Sequence, residues 1–358
     1  MTHRYASLFL AAFWLLQVLS GILLVYAREL DDWMLDASGQ PPLHAAIDDA
    51  MREIDARSVR PLEYFISGGL DGQVDILTDP GTGDLDVWRV SGTDGQVQRV
   101  TAWTGPWWRL SLARGLLVFH KSLLAGPVGR IAVIISGLLL LITLLVGLKL
   151  AWPVKRRWRA ALLPQPVPNP VARWFGWHRA AGLWVFPFVL LMVVTGLGLQ
   201  FLPALERLTD SRATPPAPCT AMTAEAGPVS AAGAVDSARR RFPGADIVVV
   251  SLPGATRCYH VQMRQPGEWR RVFGTTHVYV DAASFDVVGV QDALQTALPA
   301  RFVVALYTLH AGEWAGSAGR ILTLLLGMVF LAVMGMGLWL WWCRRAVQAR
   351  GRRSRTTS

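Results

Sequence analysis

Four histidines stand at equivalent positions of a repeated sequence, and paired imidazoles of this kind could bind the iron of haem. His120 recurs as His310 at an offset of 190 residues, and His3 recurs as His178 at an offset of 175. Two imidazoles that approach one haem iron from opposite faces occupy both axial positions, which favours electron transfer over oxygen chemistry. Zinc or copper would need three or four ligands that converge on one point, and any one of these histidines alone could be an amphipathic anchor.

The residues around the histidines recur as well, which identifies the chain as a tandem duplication. At the offset of 190, four glycines and an arginine are repeated after the histidine: Gly126, Gly129, Arg130, Gly137 and Gly147 match Gly316, Gly319, Arg320, Gly327 and Gly337. At the offset of 175, Arg4, Phe13 and Gly21 match Arg179, Phe188 and Gly196. Neither alignment needs a gap, so the two halves should share one fold.

The elements that position the histidines are predicted to be transmembrane helices. Hydrophobic residues make up 52% of the 358 residues, and they cluster in the ranges 7–26, 131–152, 181–202 and 321–342. At ~1.5 Å per residue, each run can cross a hydrocarbon core of ~30 Å. The first run could also be the core of a signal peptide, but its length and its match to the third run favour a retained span. The sequence therefore predicts an α-helical membrane protein with four transmembrane helices, arranged as a tandem two-helix repeat.

Basic residues predict the orientation of these spans. They are concentrated between the second and third spans and after the fourth, at Lys155, Arg156, Arg157, Arg159, Arg173, Arg344, Arg345, Arg350, Arg352, Arg353 and Arg355. By the positive-inside rule both regions face the cytoplasm, and the two termini lie there with them. Topology then accounts for most of the formal net charge of +10, and no nucleic-acid partner is expected.

The two long segments between spans are predicted to form extracytoplasmic α+β modules that together make one cap. The first module contains a predicted helix at 43–57 and strands at 74–77 and 86–90. The second contains a helix at 231–241 and strands at 246–251, 258–264, 277–281 and 287–290. Cys219 and Cys258 lie in the second module, where they could form a disulfide or stay reduced.

These predictions divide the chain into eight segments. They are a first span with the inner histidine (1–27), the first module (28–112), an interfacial helix with the second span (113–158), a cytoplasmic loop (159–177), the third span (178–203), the second module (204–302), an interfacial helix with the fourth span (303–343) and a basic tail (344–358).

Symmetry predicts which histidines form pairs. Repeats of the same orientation are related by a pseudo-two-fold axis along the membrane normal, so equivalent residues face each other across it. His120 and His310 should therefore meet near the outer side, and His3 and His178 near the inner side. Each pair would ligate one haem, which gives two bis-histidine haems across the bilayer. The chain has no C-x-x-C-H motif, so both haems would be bound non-covalently.

Glycines on the histidine faces of the helices have two possible roles. Gly21 and Gly196 could clear room for the outer porphyrin, and Gly147 and Gly337 could do so for the inner one. Glycine also lets transmembrane helices pack closely, which is the alternative for each of these positions.

Further charged and imidazole side chains are assigned provisional roles. Arg130 and Arg320 are candidates to neutralise haem propionates, and interfacial anchoring is the alternative. His44, His260 and His277 have no equivalents in the other half and lie in the modules. We interpret these three as surface or substrate-side residues.

The chain resembles the PepSY-associated transmembrane family, iron-regulated membrane proteins that include ferric-siderophore reductases. In the second half, the motifs are Trp177-His178-Arg179 with Thr195-Gly196, and Leu309-His310 followed by Gly319-Arg320. In the first half, Phe119-His120 with Gly129-Arg130 gives the same pattern. The run Val278-Tyr279-Val280-Asp281 is similar to the end of a PepSY module. The resemblance covers nearly the whole chain.

The resemblance implies a reductase of the bacterial inner membrane that contains haem b and passes electrons to a ferric chelate, or siderophore, in the periplasm. Some relatives carry a fused flavin or nicotinamide domain, but this chain has no G-x-G-x-x-G motif between a strand and a helix. The electron donor would then be a cytoplasmic reductase or a membrane quinol. Two alternatives remain: a non-catalytic PepSY membrane protein that restrains an extracytoplasmic partner, and a quinol-linked cytochrome b that supplies a periplasmic enzyme.

Overall fold

The computed structural model describes residues 8, 10–35, 42, 44–66, 72–154, 157–164, 166–209, 219, 230–254, 256–268 and 273–356. In chain order the helices are α1 (Ala11–Leu24), α2 (Ala27–Trp33), α3 (His44–Ala56), α4 (Leu112–Ser122), α5 (Gly126–Ala151), α6 (Trp158–Leu162), α7 (Pro170–Gln200), α8 (Leu202–Leu208), α9 (Ala232–Arg241), α10 (Leu298–His310) and α11 (Gly316–Thr356). The strands are β1 (Arg60–Ile66), β2 (Gln73–Asp79), β3 (Asp86–Ser91), β4 (Val97–Ala102), β5 (Asp246–Ser251), β6 (Cys258–Arg264), β7 (Thr276–Asp281) and β8 (Val287–Gln291).

The long helices form a bundle whose surface is apolar. Among the described residues, three helical stretches are long and apolar enough to cross a membrane: Gly126–Ala151, Pro170–Gln200 and Glu313–Ala346. The pair α1 and α2, bent by 58°, makes a fourth if it is one span. Leucines, isoleucines and valines remain exposed along these helices, as expected for surfaces that face lipid rather than water.

The same helix contact occurs twice in the bundle. A Cβ added to Gly137 of α5 would lie 3.0 Å from Leu197 of α7, and a Cβ added to Gly327 of α11 would lie 3.0 Å from Ile22 of α1. The second contact joins the equivalents of the first, since Gly327 repeats Gly137 and Leu197 repeats Ile22. Each contact lets a helix of one half approach a helix of the other closely.

A tight connection precedes both α5 and α11. A side chain at Gly129 would overlap the carbonyl oxygen of Ser122, and one at Gly319 would overlap that of Gly312. Gly312 itself has a φ of +75°, which favours glycine. These glycines let the chain turn from a short helix into a long one within a few residues.

Two termini of the long helices differ from the predicted spans. α7 begins at Pro170, because the Asn169 side chain accepts hydrogen bonds from the first backbone N–H groups and proline suits the first turn. His178 therefore lies inside this helix rather than before it. α11 continues to Thr356, so the segment predicted as a basic tail extends the fourth long helix.

The eight strands of the described residues form one antiparallel sheet, in the order β4-β3-β2-β1-β5-β6-β7-β8. Each half of the chain contributes a four-stranded meander, and β1 pairs with β5 to join them. The β3–β4 pair is irregular between Arg89 and Val90, and the β7–β8 pair is irregular between Tyr279 and Val280. The two irregularities are 190 residues apart, so the meanders correspond residue by residue at these strands.

The main core lies between one face of the sheet and two helices. α3 packs on β1, α9 packs on β6 and β7, and the two helices also contact each other. Fully buried residues of this core include Ile47, Met51 and Ile54 from α3, and Val235 from α9. The spacing of these residues is that of an amphipathic helix, which places their apolar side chains on the sheet.

A buried cluster of charges joins the sheet to α2. Arg89 binds Asp75 through two hydrogen bonds of 2.6 Å, and it also contacts Asp32 at 2.6 Å and Asp31 at 3.1 Å. Arg99 binds Asp31 at 2.6 Å. Asp31 and Asp32 are 1% and 0% exposed, so these charges depend on one another for solvation.

A disulfide joins Cys219 to Cys258, with Cα atoms 6.0 Å apart, which is a usual separation. Of the two states that the sequence left open, the structure therefore has the oxidised one. Trp103 packs against Phe65 of the sheet, with ring centroids 5.7 Å apart.

Candidate functional site

The structure brings His120 and His310 together at the end of the bundle that faces the sheet. His120 lies in the last turn of α4, which packs on α1, and His310 ends α10, which packs on α7. The ring centroids are 6.2 Å apart, and the rings are inclined by 46°. These are the two histidines that the repeat predicts as the outer pair.

Hydrogen bonds fix each ring through its Nδ1 atom. Nδ1 of His310 lies 3.1 Å from the carbonyl oxygen of Met192 and 3.1 Å from the Thr195 hydroxyl. Nδ1 of His120 lies 3.0 Å from the Ser20 hydroxyl, and that hydroxyl donates its own proton to the Gln17 carbonyl. A carbonyl can only accept, and the Ser20 proton is already used, so Nδ1 of each histidine donates. The ring lone pair therefore lies on Nε2, the form of imidazole that binds a metal.

A glycine faces each ring of this pair. A Cβ added to Gly21 would lie 3.2 Å from Cε1 of His120, and a Cβ added to Gly196 would lie 2.9 Å from Cε1 of His310. The structure thus shows what these glycines contact: they make room for the imidazoles themselves. Their role toward a porphyrin remains a prediction.

The opposite end of the bundle holds His178. Its Nδ1 lies 3.0 Å from the carbonyl oxygen of Val333, so this ring also donates from Nδ1. A Cβ added to Gly337 would lie 3.3 Å from Cε1 of His178, so the relation between ring and glycine is the same as at the outer pair. His3, the predicted partner of His178, lies outside the described residues.

Arg130 and Arg320 make equivalent contacts with the backbone of the other half. Arg130 donates to the Gln200 carbonyl, and Arg320 donates to the carbonyl of Val25, the residue equivalent to Gln200. Arg320 is also buried. Its guanidinium carbon lies 4.1 Å from the centroid of the Tyr26 ring, and it forms an ion pair of 2.5 Å with the Glu29 carboxylate. Arg130 is exposed. A propionate role for either residue stays a prediction.

A second pair of histidines lies on the sheet face that is turned away from α3 and α9. Nε2 of His260 is 2.8 Å from Nδ1 of His277, and His260 also stacks on Tyr279 at 4.8 Å between centroids. Burial, followed by the charge of His277, lowers the pKa of His260 to about 4. His44 lies elsewhere, at the start of α3, with its Nε2 2.8 Å from Arg239 of α9. In the described part of the chain, no group of three or more acidic, histidine or cysteine side chains could hold a metal ion.

Sequence reasoning missed the role of the hydroxyls that position the outer pair, although Thr195 is part of one of the family motifs. Ser20 and Thr195 are equivalent in the repeat, and each immediately precedes the glycine that faces its histidine. Both are buried within otherwise apolar helices. The signal that could have revealed this role is a hydroxyl residue at the same repeat position in an apolar helix of each half of the chain.

Residues 1–344 match the family described as the PepSY-associated TM region. The chain belongs to this family. The match spans the four repeat-equivalent histidines and the whole sheet, and it agrees with the resemblance found in the sequence. Membership identifies a multi-pass membrane protein of the PepSY-associated type. A search of curated proteins gives no match.

Proposed function

We propose that the protein is a haem-containing oxidoreductase of a bacterial inner membrane. It carries electrons outward and reduces periplasmic ferric chelates, siderophores among them, for iron acquisition. The observation that carries the proposal is the outer pair, in which each half of a duplicated chain supplies one histidine, His120 or His310, with ring centroids 6.2 Å apart.

His120 and His310 would hold one haem iron between them. With metal–nitrogen bonds of ~2.0–2.1 Å, two imidazoles on opposite sides of one metal have centroids about 6 Å apart. Gly21 and Gly196 leave the space that these rings occupy, and both rings present the lone pair on Nε2. When bound in this way, a haem b would supply one-electron transfer without an open site for oxygen.

The chain would hold a second haem at the opposite end of the bundle. His178 would provide one axial ligand, held by its hydrogen bond to the Val333 carbonyl, and His3 is the partner that the repeat predicts. Histidines at both ends of the bundle are what a chain would need to pass electrons from one face of a membrane to the other.

Two features support an orientation with the sheet in the periplasm and both termini in the cytoplasm. The basic loop and the basic end of α11 lie at the end of the bundle away from the sheet, in agreement with the positive-inside rule. The Cys219–Cys258 disulfide belongs to the sheet domain, and disulfides persist in oxidising compartments. The periplasmic acceptor would then take electrons from the haem of the outer pair. A cytoplasmic reductase or a membrane quinol would deliver electrons to the haem held by His178 and His3.

An absorption spectrum of the purified full-length protein tests the haem. We expect a Soret band that shifts on reduction by dithionite, and two haems per chain by pyridine haemochrome assay. The reduced protein should then be reoxidised by ferric siderophores. A protein without stoichiometric haem would favour a non-catalytic PepSY protein that restrains a partner. Reoxidation by a periplasmic protein but not by ferric chelates would favour a quinol-linked cytochrome.

A further inference from the structure

Four basic residues gather near His120, and within the described residues none of them pairs with a carboxylate. They are Arg28 on α2, Arg114 and Lys121 on α4, and Arg130 at the start of α5. No acidic partner of theirs occurs among the described residues. By contrast, Arg89, Arg99 and Arg320 all bind aspartate or glutamate.

Aromatic rings hold two of these cations in place. The Arg114 guanidinium lies 3.8 Å from the centroid of Trp103, and its Nε donates to the Trp103 carbonyl at 3.3 Å. The Arg28 guanidinium lies 5.0 Å from the centroid of Phe273. Stacking orients a guanidinium but uses only its face, so the N–H groups along its edge can still bind an anion.

The cations are close enough to repel one another. Burial lowers the pKa of Arg114, and the charge of Arg28 lowers it further. Lys121 and Arg130 both contact Gln200, whose side-chain oxygen accepts from Arg130 at 3.1 Å and whose Nε2 donates to the Lys121 carbonyl at 3.0 Å. Like charges held together at low solvation are unfavourable unless an anion joins them.

The cluster belongs to one half only. The residues equivalent to Arg28, Arg114 and Lys121 are Pro203, Val304 and Ala311. Arg130 alone has a basic equivalent, Arg320, and Glu29 pairs with that residue. The second half has the same helix packing and an equivalent histidine without these three cations. Neither the helix packing nor the position of the histidine therefore requires them.

We propose that Arg28, Arg114 and Lys121 form a docking site for an anionic ferric chelate, one that presents carboxylate or catecholate oxygens, beside His120. The inference rests on the proposed function and specifies its substrate class. Arg114 lies six residues before His120 on the same helix, ~9 Å along its axis, and Lys121 directly follows His120. A docked chelate would therefore lie within about two helical turns of the outer pair. One electron from the reduced protein converts the bound Fe(III) to Fe(II), which hard oxygen donors hold less tightly.

The test uses the full-length protein in phosphatidylcholine nanodiscs. A variant that carries Arg28→Gln, Arg114→Gln and Lys121→Gln is compared with a control of the same net charge that carries Arg52→Gln, Arg57→Gln and Arg264→Gln in the sheet domain. After reduction by dithionite, each protein is mixed with ferric citrate, which is anionic, or with an uncharged ferric trihydroxamate. We expect the site variant to react with ferric citrate roughly tenfold or more slowly, whereas its reaction with the trihydroxamate and both rates of the control stay unchanged.

Three results would overturn the docking site. Equal slowing with both chelates would mean that the cations act on electron transfer within the protein. A changed haem content or potential without discrimination between chelates would assign them to haem propionates. A defect that appears only in nanodiscs with phosphatidylglycerol would assign them to lipid headgroups.

A redox-inert probe separates this inference from the proposed function. Gallium(III) citrate resembles ferric citrate in charge but accepts no electron, so its binding can be measured even if the protein carries no haem. We expect the wild type and the control to bind it and the site variant to bind at least about tenfold more weakly. Equal binding by all three proteins would overturn the docking site whatever the spectrum shows.

Discussion

The two halves of the molecule agree at the histidines and differ around them. Ser20, Gly21 and His120 in one half have the same geometry as Thr195, Gly196 and His310 in the other. The arginine contacts to the opposite backbone and the glycines before α5 and α11 are also shared. A contact that is present in both copies of a duplicated sequence is one that both copies need. Here the shared contacts position the histidine rings and pack the helices.

The differences are concentrated in the surroundings of the outer pair and in the sheet. Arg28, Arg114 and Lys121 have neutral equivalents, and the Asp75–Arg89 ion pair of the first meander corresponds to His260–Tyr279 in the second. Inside the bundle, Trp14 donates to Ser136 at 2.9 Å, whereas the equivalents are Val189 and Leu326. Under the proposed function, the shared contacts would position the two haem ligands, and the unshared cations would make one side of the outer pair the docking side.

The largest expected effect comes from removing members of the histidine pairs. His120→Ala and His310→Ala should each halve the haem content and remove the same haem, because each half supplies one ligand to it. His178→Ala should remove the other haem. Haem stoichiometry and redox titration of the full-length variants measure this, with His44→Ala as a control histidine outside the bundle. Loss of the same haem from His120→Ala and His178→Ala would contradict the pairing.

The next largest effect is expected at the buried ion cluster around Arg89, which the first meander has and the second lacks. Arg89→Met should lower the free energy of unfolding of the sheet domain by ~3–5 kcal/mol, because Asp31, Asp32 and Asp75 would lose their shared buried partner. Urea titration of the detergent-solubilised protein, followed by tryptophan fluorescence, measures it. Arg264→Met breaks an exposed pair and should cost at most about 1 kcal/mol. Similar losses in both variants would show that the buried cluster is not what ties α2 to the sheet.

Periodicity and repetition predicted a large part of this fold. The predicted strands at 246–251 and 258–264 coincide with β5 and β6, and the predicted helix at 231–241 starts one residue before α9. The strands β1 and β4 were missed. Alternation of apolar and polar residues is weak in both, since β1 contains Pro61 and Glu63 next to buried residues and β4 is a half-exposed edge strand.

Contacts between distant segments could not be predicted in the same way. Pairing of β1 with β5 joins residues nearly 190 positions apart, and no local pattern specifies it. The ion cluster of Asp31, Arg89 and Arg99 forms only when α2 docks on the sheet. The histidine pair was accessible from the sequence because the duplication carries long-range information that periodicity lacks.

A smaller effect should distinguish the two shared glycines. Gly196→Ala places a Cβ 2.9 Å from the His310 ring, and Gly21→Ala places one 3.2 Å from the His120 ring. Overpacking of this kind costs about 1–3 kcal/mol, so we expect Gly196→Ala to weaken haem retention more than Gly21→Ala does. Haem dissociation to apomyoglobin measures retention. Gly335→Ala is the matched control, because no atom lies within 4 Å of its added Cβ. The reverse order would mean that the rings shift when haem binds.

The smallest effect is expected at His260, which occupies in the second meander the position that Asp75 has in the first. The pKa of His260 is about 4 in the folded protein, against 6.5 for a free side chain, and His277 and Tyr279 face it. Between these values the unfolded chain binds a proton that the folded chain does not, so stability is present above pH 6.5 and is lost as the pH falls toward 4. The loss should be on the order of 2 kcal/mol. His260→Gln should flatten the dependence of the unfolding free energy on pH, whereas Tyr279→Phe, which keeps the stacking, should leave it unchanged. An unaltered pH profile in His260→Gln would assign the acid sensitivity of the sheet to other residues.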